Sequence, residues 1–247
     1  MLEQGKFLEE GSNGFKQMKP AIKSLLILFI FTFSLLSQVG GNPIYAETST
    51  PDVLEKIVEN HRELSQGLSV PYQREILSRS MALLGDEVKS DIASGIFYFK
   101  RPHFLKVHQE QPGEEFIIFN NQYMWWSIPG KKVVYKYSGE QLGKELTVLC
   151  DIFMGLKDPD QNFNIKITGL TDSGEYVVNL TPSAGWEEIE HIDITVSGEN
   201  FRIKKIELYN IIGSITRFIL GEFKARSDLS EDGFYFTPPE GVEVILE

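Results

Sequence analysis

Residues 91–137, DIASGIFYFKRPHFLKVHQEQPGEEFIIFNNQYMWWSIPGKKVVYKY, indicate the fold most clearly. Apolar and polar residues alternate along it with a period of two, which is typical of β-strands. Pro, Gly or Asn residues stand at the breaks in this alternation, where turns are expected. The predicted strands are Ile92–Lys100, Phe104–Gln109, Glu115–Asn120, Tyr123–Ile128 and Val133–Tyr137. The stretch therefore predicts an antiparallel meander.

A second series of strands follows further along the chain. The same alternation predicts Asn164–Leu170, Glu175–Thr181, Glu188–Ser197, Phe201–Tyr209, Ser214–Lys224 and Val242–Leu246. The apolar parity slips at Lys204-Lys205, as a β-bulge would cause. About eleven strands without an internal repeat or a long linker indicate one curved sheet or unclosed barrel in a single domain.

Three segments have helical spacing of apolar residues. The first runs from Asp52 to Leu64 after Pro51, and the second covers Tyr72–Leu84, with a strand over Leu68–Gln73 as the alternative. The third, Leu142–Leu156, is strongly apolar and interrupts the strand series, so it must lie on the sheet or plug its open end. The fold class is therefore mainly β with helices (α+β).

The N-terminal region has the pattern of an export signal. Lys19 and Lys23 precede the apolar run Leu25–Leu36, which is shorter than the roughly 20 residues that a membrane-spanning helix needs. We expect cleavage after Ala46, so that residues 1–46 are a signal peptide and residues 47–247 the mature domain. Met18 is an alternative start, and an uncleaved N-terminal anchor is the competing interpretation. Because no Cys lies near the end of the apolar run, we expect no lipid attachment.

Composition excludes several function classes. The net charge of −11 argues against nucleic acid as a partner, and a single cysteine with four scattered His residues predicts no disulfide, no metal site and no cofactor. Cys150 lies on the apolar third helix and is expected to be a small core residue. The chain lacks a G-x-S-x-G elbow, a Walker loop, a G-x-G-x-x-G turn and a C-x-x-C pair, so we predict no catalytic residues and no enzyme activity.

Aromatic residues are concentrated on the strands of the first series. Several of these strands are apolar on both faces, since Phe97 and Phe99 alternate with Ile96 and Tyr98. A solvated outer face would be polar. Either other elements cover both faces, or one face holds something apolar. In an exported domain without catalytic residues, a lined hydrophobic concavity suggests a carrier for lipid or acyl chains.

Several motifs occur in the order typical of one family. They are Ser94-Gly-Ile-Phe-Tyr-Phe-Lys-Arg-Pro102 with Phe104-Leu-Lys-Val-His108, Gln111-Pro112, Asn121-Gln-Tyr-Met-Trp125, Leu180-Thr-Pro182 and Phe234-Tyr-Phe-Thr-Pro-Pro-Glu-Gly-Val-Glu-Val244. In these motifs the chain resembles the periplasmic outer-membrane lipoprotein carrier proteins (LolA-like) over roughly residues 53–246. Asn120-Asn121 stands where the family has Asp-Gly, Asn210 where it has Asp, and Lys106 where many members have Arg.

The resemblance implies a curved, incomplete antiparallel β-barrel with a helical lid over a hydrophobic cavity. It also implies a periplasmic, non-enzymatic carrier that takes an acylated lipoprotein from an inner-membrane ABC release complex and passes it to an outer-membrane receptor lipoprotein. We expect a monomer. By the resemblance, Arg101 holds the lid through hydrogen bonds to helix backbone. We expect the acyl chains to contact residues of the wall and lid, namely Phe97, Phe99, Phe116, Ile118, Trp125 and Leu149.

Other functions stay open at this point. Periplasmic regulators that sense lipid or lipoprotein share the half-barrel fold, although they normally append a second domain. A glycolipid-binding protein would need the same kind of cavity. The outer-membrane receptor of the pathway is itself a lipoprotein, and the missing lipid-attachment Cys argues against it. A lipid hydrolase would need a nucleophile and base pair, for which the sequence offers no candidate.

Overall fold

The computed structural model describes residues 50–61, 64, 66–77, 91–139, 150, 152, 163–183 and 189–247. Helix α1 spans Thr50–His61, and a short 3-10 helix spans Glu231–Phe234. The described residues also form thirteen strands: β1 (Leu68–Leu77), β2 (Asp91–Lys100), β3 (Phe104–Gln111), β4 (Glu115–Phe119), β5 (Tyr123–Ser127), β6 (Val133–Ser138), β7 (Phe163–Leu170), β8 (Tyr176–Pro182), β9 (Ile189–Val196), β10 (Ile203–Asn210), β11 (Ile215–Leu220), β12 (Lys224–Ala225) and β13 (Glu243–Leu246).

All thirteen strands belong to one open, curved sheet. Its order is β13-β6-β5-β4-β3-β2-β1-β11-β10-β9-β8-β7, with β12 paired to β1 beside this path. β2 to β6 form one meander and β7 to β11 form another. β1 joins the two, because it pairs with β2 on one side and with β11 on the other.

The predicted strand series is confirmed with ends that move by a few residues, except that Ser214–Lys224, predicted as one strand, is divided between β11 and β12. α1 confirms the first predicted helix, although it ends at His61 rather than Leu64. The register of β9 and β10 shifts between Ile203 and Lys205, which confirms the predicted bulge. The pair Lys204-Lys205, which interrupts the alternation of apolar residues, was enough to locate this bulge in the sequence.

The predicted helix over Tyr72–Leu84 is wrong up to Leu77, because β1 occupies that part. Tyr72, Arg74 and Ile76 are buried, while Pro71 and Gln73, which alternate with them, are exposed, so the real period is two. β1 pairs with β2 on one side and β11 on the other. The packing and hydrogen bonds of these sheet neighbours outweigh the helical spacing of its apolar residues. Residues 78–90 lie outside the described residues.

The sheet is also not purely antiparallel. β13 runs parallel to β6, with Glu243 beside Val133 and Leu246 beside Lys136. The sequence predicted this last strand but not its direction. A parallel partner needs a long connection, and here the whole second meander lies between the two strands.

The two faces of the sheet differ in what covers them. We call the inner face the one that packs with α1 into the main hydrophobic core. Buried core residues on it include Leu68, Val70, Tyr72, Phe97, Phe99, Leu105, Val107, Ile117, Phe119, Met124, Trp126, Tyr135, Tyr137, Val178, Leu180, Ile192, Ile194, Val196, Ile206, Phe218 and Leu220. The opposite side is called the outer face.

Most of the third predicted helix, Leu142–Leu156, lies outside the described residues. Two of its residues, Cys150 and Ile152, are described, have helical backbone and are buried in the main core. Cys150 is thus a core residue, as predicted. The proposed signal peptide, residues 1–46, lies wholly outside the described residues. Among the helices that the structure describes, none combines the length and apolar character needed to cross a bilayer.

Candidate functional site

The centre of the inner face is a group of aromatic rings from three adjacent strands. Tyr72 of β1 stacks on Phe97 of β2, with ring centroids 4.2 Å apart. Phe218 of β11 lies 6.1 Å from Tyr72 and 5.7 Å from Phe97. The register accounts for the group, since side chains on neighbouring antiparallel strands meet when they share a face. The result is an apolar wall at the junction of the two meanders.

The wall continues across the first meander. Trp126 of β5 stacks on Tyr135 of β6 at 4.9 Å, and its indole Nε1–H donates to Glu115 Oε2 at 2.9 Å. Tyr137, further along β6, is buried, and burial raises the pKa of its hydroxyl.

Helix α1 packs on the inner face from the side of the second meander. Its Val53 and Ile57 are fully buried in the main core. Lys56 lies 4.9 Å from the centroid of the Phe201 ring. These contacts leave α1 with a polar outer side and one apolar stripe, which is the pattern of a helix that covers a sheet.

His61 ends the helix in a buried position. Its Nδ1–H donates to the carbonyl of Ile57 at 2.8 Å, and its ring meets the edge of Phe223 at 5.4 Å. The pKa of His61 is lowered to about 4, mainly by burial; the hydrogen bond to the Ile57 carbonyl opposes this change, and the charge of Arg202 adds to it. His61 is therefore neutral at pH 7, and its Nε2 has no hydrogen-bond partner among the described residues.

The outer face carries a second, smaller cluster. Phe104, Ile118 and Phe234 are buried together, with Tyr98, Leu229 and Phe236 packed against them. Leu229, Phe234 and Phe236 belong to the segment between β12 and β13, so this C-terminal segment covers β2 to β5 from outside. Strands of the first meander that are apolar on both faces are thereby explained: their inner side chains belong to the main core, and the irregular C-terminal segment covers their outer side chains.

The six predicted acyl-chain contacts do not share one wall. Phe97 and Phe99 lie on the inner face in the main core. Ile118 belongs to the outer cluster, Trp125 packs against Phe236 on the same outer face, and Phe116 stacks on His108 at 4.4 Å. Leu149 lies outside the described residues. Parity could not be assigned from the sequence because both sides are apolar.

Arg101 lies in the turn between β2 and β3, followed by a cis peptide bond to Pro102. Its Nε is buried and has no hydrogen-bond partner within the described part of the chain. The lid-holding role stays a prediction.

One cation on the inner face was missed from the sequence. Arg74 has an exposed fraction of 5%, and it stands opposite Ala93 on β2 and Phe218 on β11. Its Nη2 contacts Asp91 Oδ1 at 3.4 Å. The alternation Val70, Tyr72, Arg74 would have placed it on the apolar side, but the helical interpretation of this segment hid that signal.

Among the described residues, no group of three or more His, Cys, Asp or Glu side chains could hold a metal ion.

Comparison with known proteins gives consistent matches. The family described as "Outer membrane lipoprotein carrier protein LolA" matches residues 82–237. An outer-membrane lipoprotein carrier protein of Dechloromonas aromatica is 25% identical over 206 residues, covering 83% of this chain and 91% of that protein. The one from Nitrosospira multiformis is 26% identical over 231 residues, covering 93% of this chain and 100% of that protein.

Solved structures match at lower identity. A LolA superfamily protein from Nitrosomonas europaea is 16% identical with a TM-score of 0.45, covering 77% of this chain and 99% of that one. MucB in complex with MucA(peri) is 13% identical with a TM-score of 0.37, covering 80% of this chain and 62% of that one.

Proposed function

Because the chain belongs to the LolA family of outer-membrane lipoprotein carrier proteins, we propose that it is a periplasmic carrier that holds the acyl chains of lipoproteins against its inner face. The observation that carries the proposal is the aromatic group of Tyr72, Phe97 and Phe218 at the junction of the two meanders. Its role is binding, without covalent chemistry.

A carrier is physically required for such a cargo. Each acyl CH₂ group left in water costs about 0.8 kcal/mol, so chains of lipoprotein length cannot cross an aqueous space exposed. An apolar wall lowers this cost without forming covalent bonds. Release requires that the wall bind the chains only moderately, because a carrier must give its cargo up.

Access to the wall requires movement of what covers it. Phe99 is fully buried and Phe97 has an exposed fraction of 5%, so acyl chains reach these rings only when covering elements separate from the sheet. In this proposal, α1 and the helical residues Cys150 and Ile152 form part of that cover. Apolar chains then replace the apolar side chains of the cover, so the wall stays dry in both states.

The partners in this proposal follow the carrier role. An inner-membrane ABC release complex supplies the lipoprotein and an outer-membrane receptor lipoprotein accepts it. Both exchanges move apolar chains between two apolar sites, and neither exposes the wall to bulk water.

The test uses a synthetic lipopeptide whose two acyl chains carry a photoreactive diazirine. After irradiation, mass spectrometry locates the crosslinked residues. We expect crosslinks on the inner face of β1, β2 and β11, around Tyr72, Phe97 and Phe218. The same peptide without acyl chains, but with a diazirine amino acid, is the control. Crosslinks confined to the outer face, around Phe116, Ile118 or Trp125, would overturn the proposal.

A matched pair of variants tests the same point by affinity. Phe97→Leu removes ring surface from the inner wall, whereas Phe116→Leu removes it from the outer face. We expect only Phe97→Leu to weaken lipopeptide binding. Equal weakening by both variants would mean that the chains do not distinguish the two faces.

A further inference from the structure

A buried guanidinium lies next to the aromatic wall, and its hydrogen-bonding capacity is only partly used. Arg74 follows Tyr72 by two positions on β1, so both side chains point to the inner face. Its Nε is buried without a hydrogen-bond partner among the described residues. Its Nη2 has one long contact, 3.4 Å, to Asp91. A buried, unsatisfied N–H on a charged group is costly, and such groups normally have a partner.

The charges around Arg74 determine which partner fits. Asp91 contacts the guanidinium directly. Burial raises the pKa of the adjacent Tyr72 to about 12; the charge of Arg74 opposes this rise, while Glu115 and Glu110 add to it. One carboxylate, that of Asp91, thus already contacts this cation. A free carboxylate or phosphate would add a further negative charge there, whereas a neutral oxygen acceptor would not.

An acylated ligand brings neutral acceptors of this kind. Where each chain joins its glyceryl group, an ester carbonyl marks the end of the apolar part. Chains lying on the rings of Tyr72 and Phe97 would place such a carbonyl at the border of the wall, where Arg74 stands. We propose that Arg74 binds an ester carbonyl of the ligand through its Nε–H and so fixes how far the acyl chains enter. This inference rests on the proposed function.

Asp91 holds the guanidinium in place without saturating it. The contact to Nη2 orients the fork and leaves Nε–H free to donate. Because the Asp91 side chain is 48% exposed, water solvates it when Arg74 is removed. Replacing Arg74 therefore does not strand a buried carboxylate, and variants at this position are expected to fold.

The experiment compares two lipopeptides that differ only in their carbonyls. One carries two ester-linked palmitoyl chains on a glyceryl-cysteine, and the other carries the corresponding ether-linked chains. Peptide amide carbonyls are the same in both, so they cannot cause a difference. We expect wild type to prefer the diester by about tenfold or more, as for one hydrogen bond to a charged donor. We expect Arg74→Met to bind both peptides alike.

Arg74→Lys keeps the charge but has no Nε–H at that position. We expect it to lose the preference for the diester as Arg74→Met does. Arg226→Met is the matched control, since Arg226 is paired with Asp228 at 2.7 Å and lies over Tyr98, away from the inner face. It should keep the wild-type preference.

Free palmitate tests the argument from charge. We expect wild type to bind it more weakly than the diester peptide, and Asp91→Asn to increase palmitate affinity several-fold by removing a competing negative charge. Unchanged palmitate affinity in Asp91→Asn would contradict the charge argument. Equal binding of diester and diether by wild type, or a preference that survives in Arg74→Met, would overturn the role of Arg74. If neither lipopeptide binds better than the unacylated peptide, the proposed function itself fails.

Discussion

The ring of Trp125 packs against the ring of Phe236, with centroids 5.3 Å apart, and this contact holds the C-terminal segment on the outer face of β5. Two residues earlier, Phe234 is buried against Phe104 at 5.5 Å. The segment has little regular structure, so its position depends on these aromatic anchors. Their loss should be measurable as a loss of stability.

We expect Phe234→Ala to lower the free energy of unfolding by about 3 kcal/mol, because a fully buried ring is replaced by a cavity. Tyr235→Ala is the matched control. Its side chain is 56% exposed, so the change should stay below about 1 kcal/mol. Urea unfolding of both variants measures the difference. Equal losses would mean that Phe234 does not anchor the segment.

Gly95 is expected to be intolerant of any side chain. It lies at the bulge between β2 and β3, where an added Cβ would collide with the backbone of His108 and Gln109. Gly95→Ala should cost about 1–3 kcal/mol by forcing the strands apart. At Gly113 nothing lies within 4 Å, so Gly113→Ala should be close to neutral. Thermal unfolding compares the two, and a neutral Gly95→Ala would refute the close approach.

His61 should make stability depend on pH. Its pKa is about 4 in the folded protein and about 6.5 unfolded, so the unfolded chain binds the proton more readily. The stabilisation is complete above pH 6.5 and is lost as pH falls from 6.5 towards 4, by up to about 3 kcal/mol. His61→Asn keeps an N–H donor near the Ile57 carbonyl but does not titrate. Its unfolding free energy should fall less over this range, and parallel curves for the two proteins would contradict the prediction.

A row of charges on the outer face should stabilise the junction of the meanders. Arg217 Nε donates to Glu207 at 2.8 Å, and Arg217 Nη1 donates to Glu75 at 3.1 Å. Burial alone would raise the pKa of Glu207, but hydrogen bonds from Lys205 and Arg217 lower it below its usual value. Arg217→Met should therefore cost about 1–3 kcal/mol at pH 7.

The control for this row is Lys204→Met, which removes an exposed pair with Glu175 and should cost less than about 1 kcal/mol. The loss of unfolding free energy caused by Arg217→Met should become smaller as pH falls below the ordinary pKa of a Glu side chain. Glu207 then becomes protonated first in the unfolded state and finally in the folded state. A pH-independent loss would assign the effect of Arg217 to packing.

Arg101→Leu tests the lid-holding prediction. If Arg101 stabilises the closed state, its loss should leave loading of a lipoprotein normal but slow its transfer to acceptor membranes. Arg101→Lys should rescue transfer only partly, since a point charge cannot replace the planar fork of donors. Release of a labelled lipoprotein from the three proteins measures this. Equal transfer rates for wild type, Arg101→Leu and Arg101→Lys would contradict a lid-holding role for Arg101.

The sequence predicted the strands well because their period of two is local. It failed for Tyr72–Leu77, where a short apolar segment fits both periods and only the pairing with β2 and β11 decides. The same failure concealed Arg74. A charged residue is recognised as buried only after its strand and its parity are known.

The candidate site was predicted in kind but not in detail. Aromatic richness indicated an apolar wall, and Phe97 and Phe99 belong to the inner face. The outer-face positions of Ile118 and Trp125 depend on Phe234 and Phe236, which are more than a hundred positions away in the chain. No local pattern carries that information.

The parallel pairing of β13 with β6 has a consequence for the order of assembly. Val133 is synthesised long before Glu243, its eventual neighbour, so β6 has an unpaired edge while the rest of the chain is made. Such edges recruit foreign strands. A nascent chain of this protein is therefore most prone to aggregation until its last strand is in place, and a holding chaperone that masks β6 would protect it during that interval.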